Sequence, residues 1–206
     1  MQKIHIFETS TFYAGDKMKK EELEKVATHL EKTITELSSA AIDDERIISR
    51  YVEYRVALEL AKRGYVVQVL NERDNKGADI YLPEEWIKVE VKSGKFVYGS
   101  SCASFGTGRQ IKEGRFDYCV FVPYDENRIK EFLVFNREEL AEVADKPRAK
   151  FPRFRKTNPC LLVRCDSYGD LKSRLEPFGE AALKIEEELH KHPEKFKDRW
   201  DKIRRQ

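Results

Sequence analysis

Gly77-Ala78-Asp79-Ile80-Tyr81-Leu82 and Ile87-Lys88-Val89-Glu90-Val91-Lys92 are two apolar, β-branched runs, joined by Pro83-Glu84-Glu85 and Trp86. Such runs on either side of a turn segment read as the two strands of a hairpin. With the turn centred between Glu84 and Glu85, residues whose numbers sum to 169 face each other, so Asp79 lies opposite Glu90. Side chains alternate along a strand, so Glu90 and Lys92 share a face, and Val89 and Val91 take the other. Two carboxylates and an ammonium are thereby expected in one patch. An ordinary salt-bridged strand pair on a solvated face fits the same charges. The apolar residues on both sides indicate a central strand instead, where facing acids repel and a divalent cation is the usual remedy. With oxygen donors and no histidine or cysteine nearby, a hard ion such as Mg²⁺ suits the patch better than zinc.

Asp79 followed by Glu90-Val91-Lys92 resembles the core motif of the PD-(D/E)XK nuclease superfamily, which includes restriction endonucleases and archaeal Holliday junction resolvases. Ala78 stands where the motif has its proline. Lys92-Ser93-Gly94-Lys95 continues in the style of the resolvase and Mrr-like branches. The resemblance implies an α/β fold with a restriction endonuclease-like core, a mixed central sheet flanked by helices. It also implies a Mg²⁺ ion, replaceable by Mn²⁺, held by Asp79, Glu90 and the backbone carbonyl of Val91. Lys92 is then expected to hold the attacking water and offset charge on the phosphate.

Upstream, Asp43-Asp44 and Gly64 bracket a helical segment as capping residues and C′ glycine. Glu53 in this helix neighbours Val56, Ala57 and Leu60, which places a carboxylate on the apolar stripe. Glu59, beside Arg55, Lys62 and Arg63, reads as solvated. The superfamily carries a glutamate on the helix before the catalytic hairpin, and the resemblance assigns that role, completing the metal shell, to Glu53; a helix-surface acid is the alternative. Downstream, Gly106-Thr107-Gly108-Arg109-Gln110-Ile111 precedes a buried strand at Tyr118–Pro123. Gln110 resembles the glutamine that several branches carry on the helix after the catalytic strand, where it would touch a phosphate or orient Lys92. A plain surface glutamine is the other reading.

The remaining elements are expected to be a helix at 17–38, strands at 65–70, 131–135 and 160–164, a helix or loop near 101–113, and a helix at 137–144. Two charged helices, 178–190 and 194–205, follow. Residues 1–42 read as an extension with a short strand at Met1–Phe7 and a helix, 43–166 as the nuclease core, and 167–206 as a C-terminal helical tail packed on it.

The 206 residues are 37% charged with a net charge of +2, but the charge is uneven. Seventeen Lys/Arg stand against ten Asp/Glu from Lys146 onward, which leaves the rest of the chain at −5. Acidity in the first part fits a cation site, and basicity in the last part fits a phosphate backbone. Lys146–Lys156 interleaves basic residues with Phe151 and Phe154, the pattern of a nucleic-acid contact or of a solvated connector. Lys95, Arg109, Lys150, Arg153, Arg155 and Lys156 are the candidate contacts. The four cysteines lack a Cys-x-x-Cys pairing and read as free thiols of a reducing compartment. With no signal peptide and no apolar run of membrane-spanning length, a cytoplasmic protein without a membrane partner is expected.

These features point to a metal-dependent endonuclease acting on DNA, of restriction or repair type, with RNA as the other substrate to be tested. The rivals are a Holliday junction resolvase and a non-catalytic nucleic-acid-binding module that keeps the fold. A homodimer is compatible with cutting both strands of a duplex.

Overall fold

The chain is described by a computed structural model covering residues 17–39, 44–70, 77–96, 100–104, 109–125, 128–145, 161–165 and 180–204. It is a mixed α/β protein whose main sheet contains parallel and antiparallel strands and is flanked by helices on both faces.

The central hairpin pairs β3 (Ile80–Leu82) with β4 (Ile87–Lys95). Its register is Ile80↔Val89, Tyr81↔Lys88 and Leu82↔Ile87, the alignment expected from the sequence. The four-residue turn Pro83–Trp86 closes it, and β2 (Val67–Val69) adds antiparallel to β3. β1 (Lys17–Met18) extends the edge by pairing with β2. On its other side β4 pairs in parallel with β6 (Tyr118–Asp125), from Val89↔Tyr118 to Lys95↔Tyr124. Parallel neighbours need a crossover between them. Here it contains β5 (Ser100–Ser104) and the one-turn helix α3 (Arg109–Lys112). β7 (Arg128–Ile129) and β8 (Leu133–Asn136) then pair antiparallel with successive parts of β6.

Strand alternation divides the core in two. Val89, Val91, Val120 and Val122 turn toward α1 (Lys20–Ser39) and α2 (Glu45–Lys62), which contribute Leu23, Ile34, Val52 and Leu60. Cys119, Phe121, Leu133 and Phe135 turn the other way. There they meet Ile111, Leu140 of α4 (Arg137–Asp145), and Ile185 and Leu189 of α5 (Glu180–Lys191).

Helix α2 has the boundaries its sequence encodes. The Asp44 carboxylate accepts the N–H groups of Arg46 and Ile47 at 3.0 and 3.4 Å, satisfying first-turn donors. Gly64, at φ +92°, takes the left-handed turn that ends the helix. The Ser49 and Ser93 hydroxyls, 3.2 Å apart, tie α2 to β4.

Three expectations are corrected. The helix read from residue 17 begins at Lys20, because Lys17–Met18 pair with β2 as strand β1. The segment 101–113, read as helix or loop, begins with β5, which pairs with β9 (Leu161–Cys165) in a separate two-stranded sheet. The segment 194–205, read as a helix, forms two 3-10 turns, Pro193–Lys195 and Trp200–Lys202. Between them Lys197 bridges Leu133 and Asp198 adopts φ +53°, which breaks the helical path. The expected strand at residues 1–7 and the basic stretch 146–156 lie outside the described residues.

Candidate functional site

Asp79 sits just before β3, and its backbone already belongs to the sheet. Its N–H donates to the Val89 carbonyl at 3.0 Å, and its carbonyl accepts from Leu70 at 2.8 Å. Its Oδ2 accepts the Val91 N–H at 2.7 Å, so the side chain reaches across to β4 beside Glu90. Glu90 is only 3% exposed, one of two buried polar residues among those described, and its Oε1 accepts a hydrogen bond from the Lys92 ammonium. The hairpin thus brings Asp79, Glu90 and Lys92 into one pocket.

The electrostatics show how tightly they share it. Burial, then the charges of Glu90 and Glu53, raise the Asp79 carboxyl from 3.8 to about 7, against the opposing help of the Val91 N–H and Lys92. Like charges held close in a poorly solvated site cannot all ionise freely. Burial opposes the Lys92 charge, but Glu90 and Asp79 outweigh it and raise the ammonium above its ordinary range. Cys119, paired with Glu90 across the parallel β4–β6 ladder, lies beneath the same group. Burial first, then Glu90, pushes its thiol well up, which keeps it neutral.

Glu53 extends this field from α2 and pairs there with Arg50, whose guanidinium also donates to the Leu70 carbonyl at 3.3 Å. Arg50 thereby links α2 to the end of β2, one residue from the strand that leads toward Asp79. Sequence reading passed over Arg50, although its i,i+3 spacing from Glu53 was the available signal. Cys119 was hidden for another reason: only the parallel pairing places it under Glu90.

Among the described residues, no set of three or more His, Cys, Asp and Glu side chains is gathered as a metal-holding group. Asp79 and Glu90 form a smaller set of oxygen donors, the donor type that hard cations take. Burial comes first in raising Asp79, and the charges of Glu90 and Glu53 add to it against the Lys92 ammonium, while Arg50 pairs with Glu53.

The other expected residues lie further out. Lys95 ends β4 and is exposed. Arg109, at the start of α3, pairs with Glu113. Gln110 is half-buried on α3, where its carbonyl accepts the Arg115 N–H at 3.0 Å. Lys150, Arg153, Arg155 and Lys156 lie outside the described residues.

No protein-family model matches the chain, and no curated protein matches it.

Proposed function

We propose that this chain is a Mg²⁺-dependent nuclease of PD-(D/E)XK type that hydrolyses phosphodiester bonds, with DNA as its first substrate. One observation carries the reading: a buried glutamate on β4 and, just before β3, an aspartate raised to about 7 lie side by side, with the Lys92 ammonium bonded to the glutamate. The order of elements supports it: a glutamate-bearing helix, an antiparallel hairpin with the acids, then a crossover to a parallel strand.

Asp79, Glu90 and the Val91 carbonyl would hold the ion, with Glu53 behind them. When bound, such an ion polarises a phosphoryl oxygen and lowers the pKa of water. The chain's own residues do the rest. Lys92, raised by its acidic neighbours, stays an ammonium at neutral pH. It therefore acts as a donor that orients water and offsets charge building on the phosphorus oxygens, not as a base that removes a proton. The Val91 N–H fixes the Asp79 carboxylate, so its position is set before substrate arrives.

The test is a cleavage assay with Mg²⁺ on linear duplex, a four-way junction and single-stranded RNA, using the wild type and Asp79→Asn. Cleavage of duplex that falls by roughly 100-fold or more in the variant supports the proposal. Preferred junction cleavage would make the protein a resolvase, and RNA cleavage alone a ribonuclease. Duplex binding without cleavage, equal in both proteins, would refute the hydrolase reading in favour of a binding module.

A further inference from the structure

Glu53 lies close enough for its charge to act on Asp79, yet it does not join Asp79 and Glu90 in a metal-holding group among the described residues. Its carboxylate is engaged elsewhere. One turn earlier on α2, Arg50 donates from Nη1 to Glu53 Oε2. Three residues apart on a helix, such side chains meet with no change of the backbone. The pair is only partly solvated, with 35% of the Arg50 side chain and 18% of the Glu53 side chain exposed. Water therefore screens it less than it would an open surface pair.

Arg50 is itself held in place. The same nitrogen donates to the Leu70 carbonyl at 3.3 Å, and the guanidinium lies 5.3 Å from the centre of the Tyr54 ring. Tyr54 is buried and follows Arg50 by four residues, so the ring is a fixed wall on the same helix. Leu70 in turn donates its N–H to the Asp79 carbonyl at 2.8 Å. The guanidinium thus grips Glu53 and, through Leu70, the backbone that carries Asp79.

Charge points the same way. At pH 8, above the Asp79 value of about 7, Asp79, Glu90 and Glu53 set three negative charges against the two positive charges of Lys92 and Arg50. One divalent ion already reverses the single negative charge left over, and a second would enter a group that is net positive. Taking Arg50 away would make room for another cation and release Glu53 to hold it.

We propose, on the cation-site reading above, that Arg50 is a positioning residue that holds Glu53 outside the coordination shell and limits the pocket to one divalent ion. Asp79 and Glu90 then supply the side-chain ligands. Arg50 brings to Glu53, as a fixed side-chain cation, the charge that a second metal ion would bring.

Counting the Mn²⁺ ions bound by the full, metal-free chain at pH 8 tests it. Electron paramagnetic resonance reads the free ion, whether or not any substrate is cut. Wild type should take up one Mn²⁺ and Arg50→Met two. Arg50→Met with Glu53→Gln should return to one, because the released acid is gone. Arg50→Lys keeps a cation beside Glu53 and should stay at one. A change in the field alone would shift affinity without adding an ion, so the count separates positioning from charge. Should Arg50→Met fail to fold, as circular dichroism would show, Glu53→Gln alone decides, and it should still bind one Mn²⁺. Two ions on wild type, a single ion on folded Arg50→Met, or loss of the ion in Glu53→Gln would overturn the role given to Arg50 while leaving a cation site in place. No saturable uptake by wild type would remove the cation site and the role of Arg50 together.

Discussion

Glu90 keeps its carboxylate away from water against the Lys92 ammonium, and this pair sets what substitution can do. Removing the lysine strands a buried charge. Lys92→Ala is expected to lower unfolding free energy by about 3 kcal/mol at pH 8 in urea titrations. Adding Glu90→Gln should recover most of that loss, and an additive double variant would show that the pair is not coupled. Asp79 gives a pH signature of unusual sign. Its folded carboxyl, raised from 3.8 to about 7, binds a proton that the unfolded chain has already released. Between about pH 4 and 7 the folded state therefore holds more protons, and metal-free stability falls as pH rises through that window. Asp79→Asn should flatten this slope, as measured by melting temperature against pH in chelator. The triad was legible in the spacing of Asp79, Glu90 and Lys92, because alternation and a short turn fix which side chains meet. Cys119 beneath it was not, because a parallel partner reached by a long crossover leaves no local pattern.

At the scale of elements, the hairpin and α2 were readable because their signals are local: β-branched alternation, a Pro-led turn, Asp44 as cap and Gly64 as terminator. Asp44→Ala is expected to cost about 1 kcal/mol of stability without abolishing activity, since the cap lies more than two turns from Glu53. Trp86→Gly should instead stabilise the chain by roughly 1 kcal/mol in denaturant titration, by relieving the left-handed backbone of an exposed residue. A loss of stability there would mean that the indole packs more than its exposure suggests. β5 was missed for a physical reason. Ser100-Ser101-Cys102-Ala103-Ser104 has little apolar alternation, and its partner Leu161–Cys165 lies far along the chain. The segment after Pro193 misled in the opposite way, because its charges and spacing suit a helix that Asp198 and the Lys197 bridge interrupt.

At the scale of the whole molecule, the first and last described segments are structural parts of the sheet's surroundings. β1 lengthens one edge, and α1 covers α2. At the other end Phe196 is buried against Phe135, and Trp200 and Ile203 enter the core beside Phe132 and Tyr65. The Val134 N–H also donates to the Phe196 carbonyl at 2.9 Å. Ending the chain after Lys191 should therefore abolish cooperative unfolding, not leave a trimmed and stable core, and circular dichroism on heating would show it. This integration was foreshadowed by the apolar residues of the tail but not its shape, since docking residues announce burial and not the path between them. The proposed nuclease chemistry requires Asp79 and Glu90 to bind a divalent cation. Calorimetric titration of the metal-free protein with Mn²⁺ at pH 8 tests that most directly. One saturable binding event that disappears in Asp79→Asn and in Glu90→Gln is the predicted result; no saturable heat, or binding unchanged by both substitutions, would contradict it.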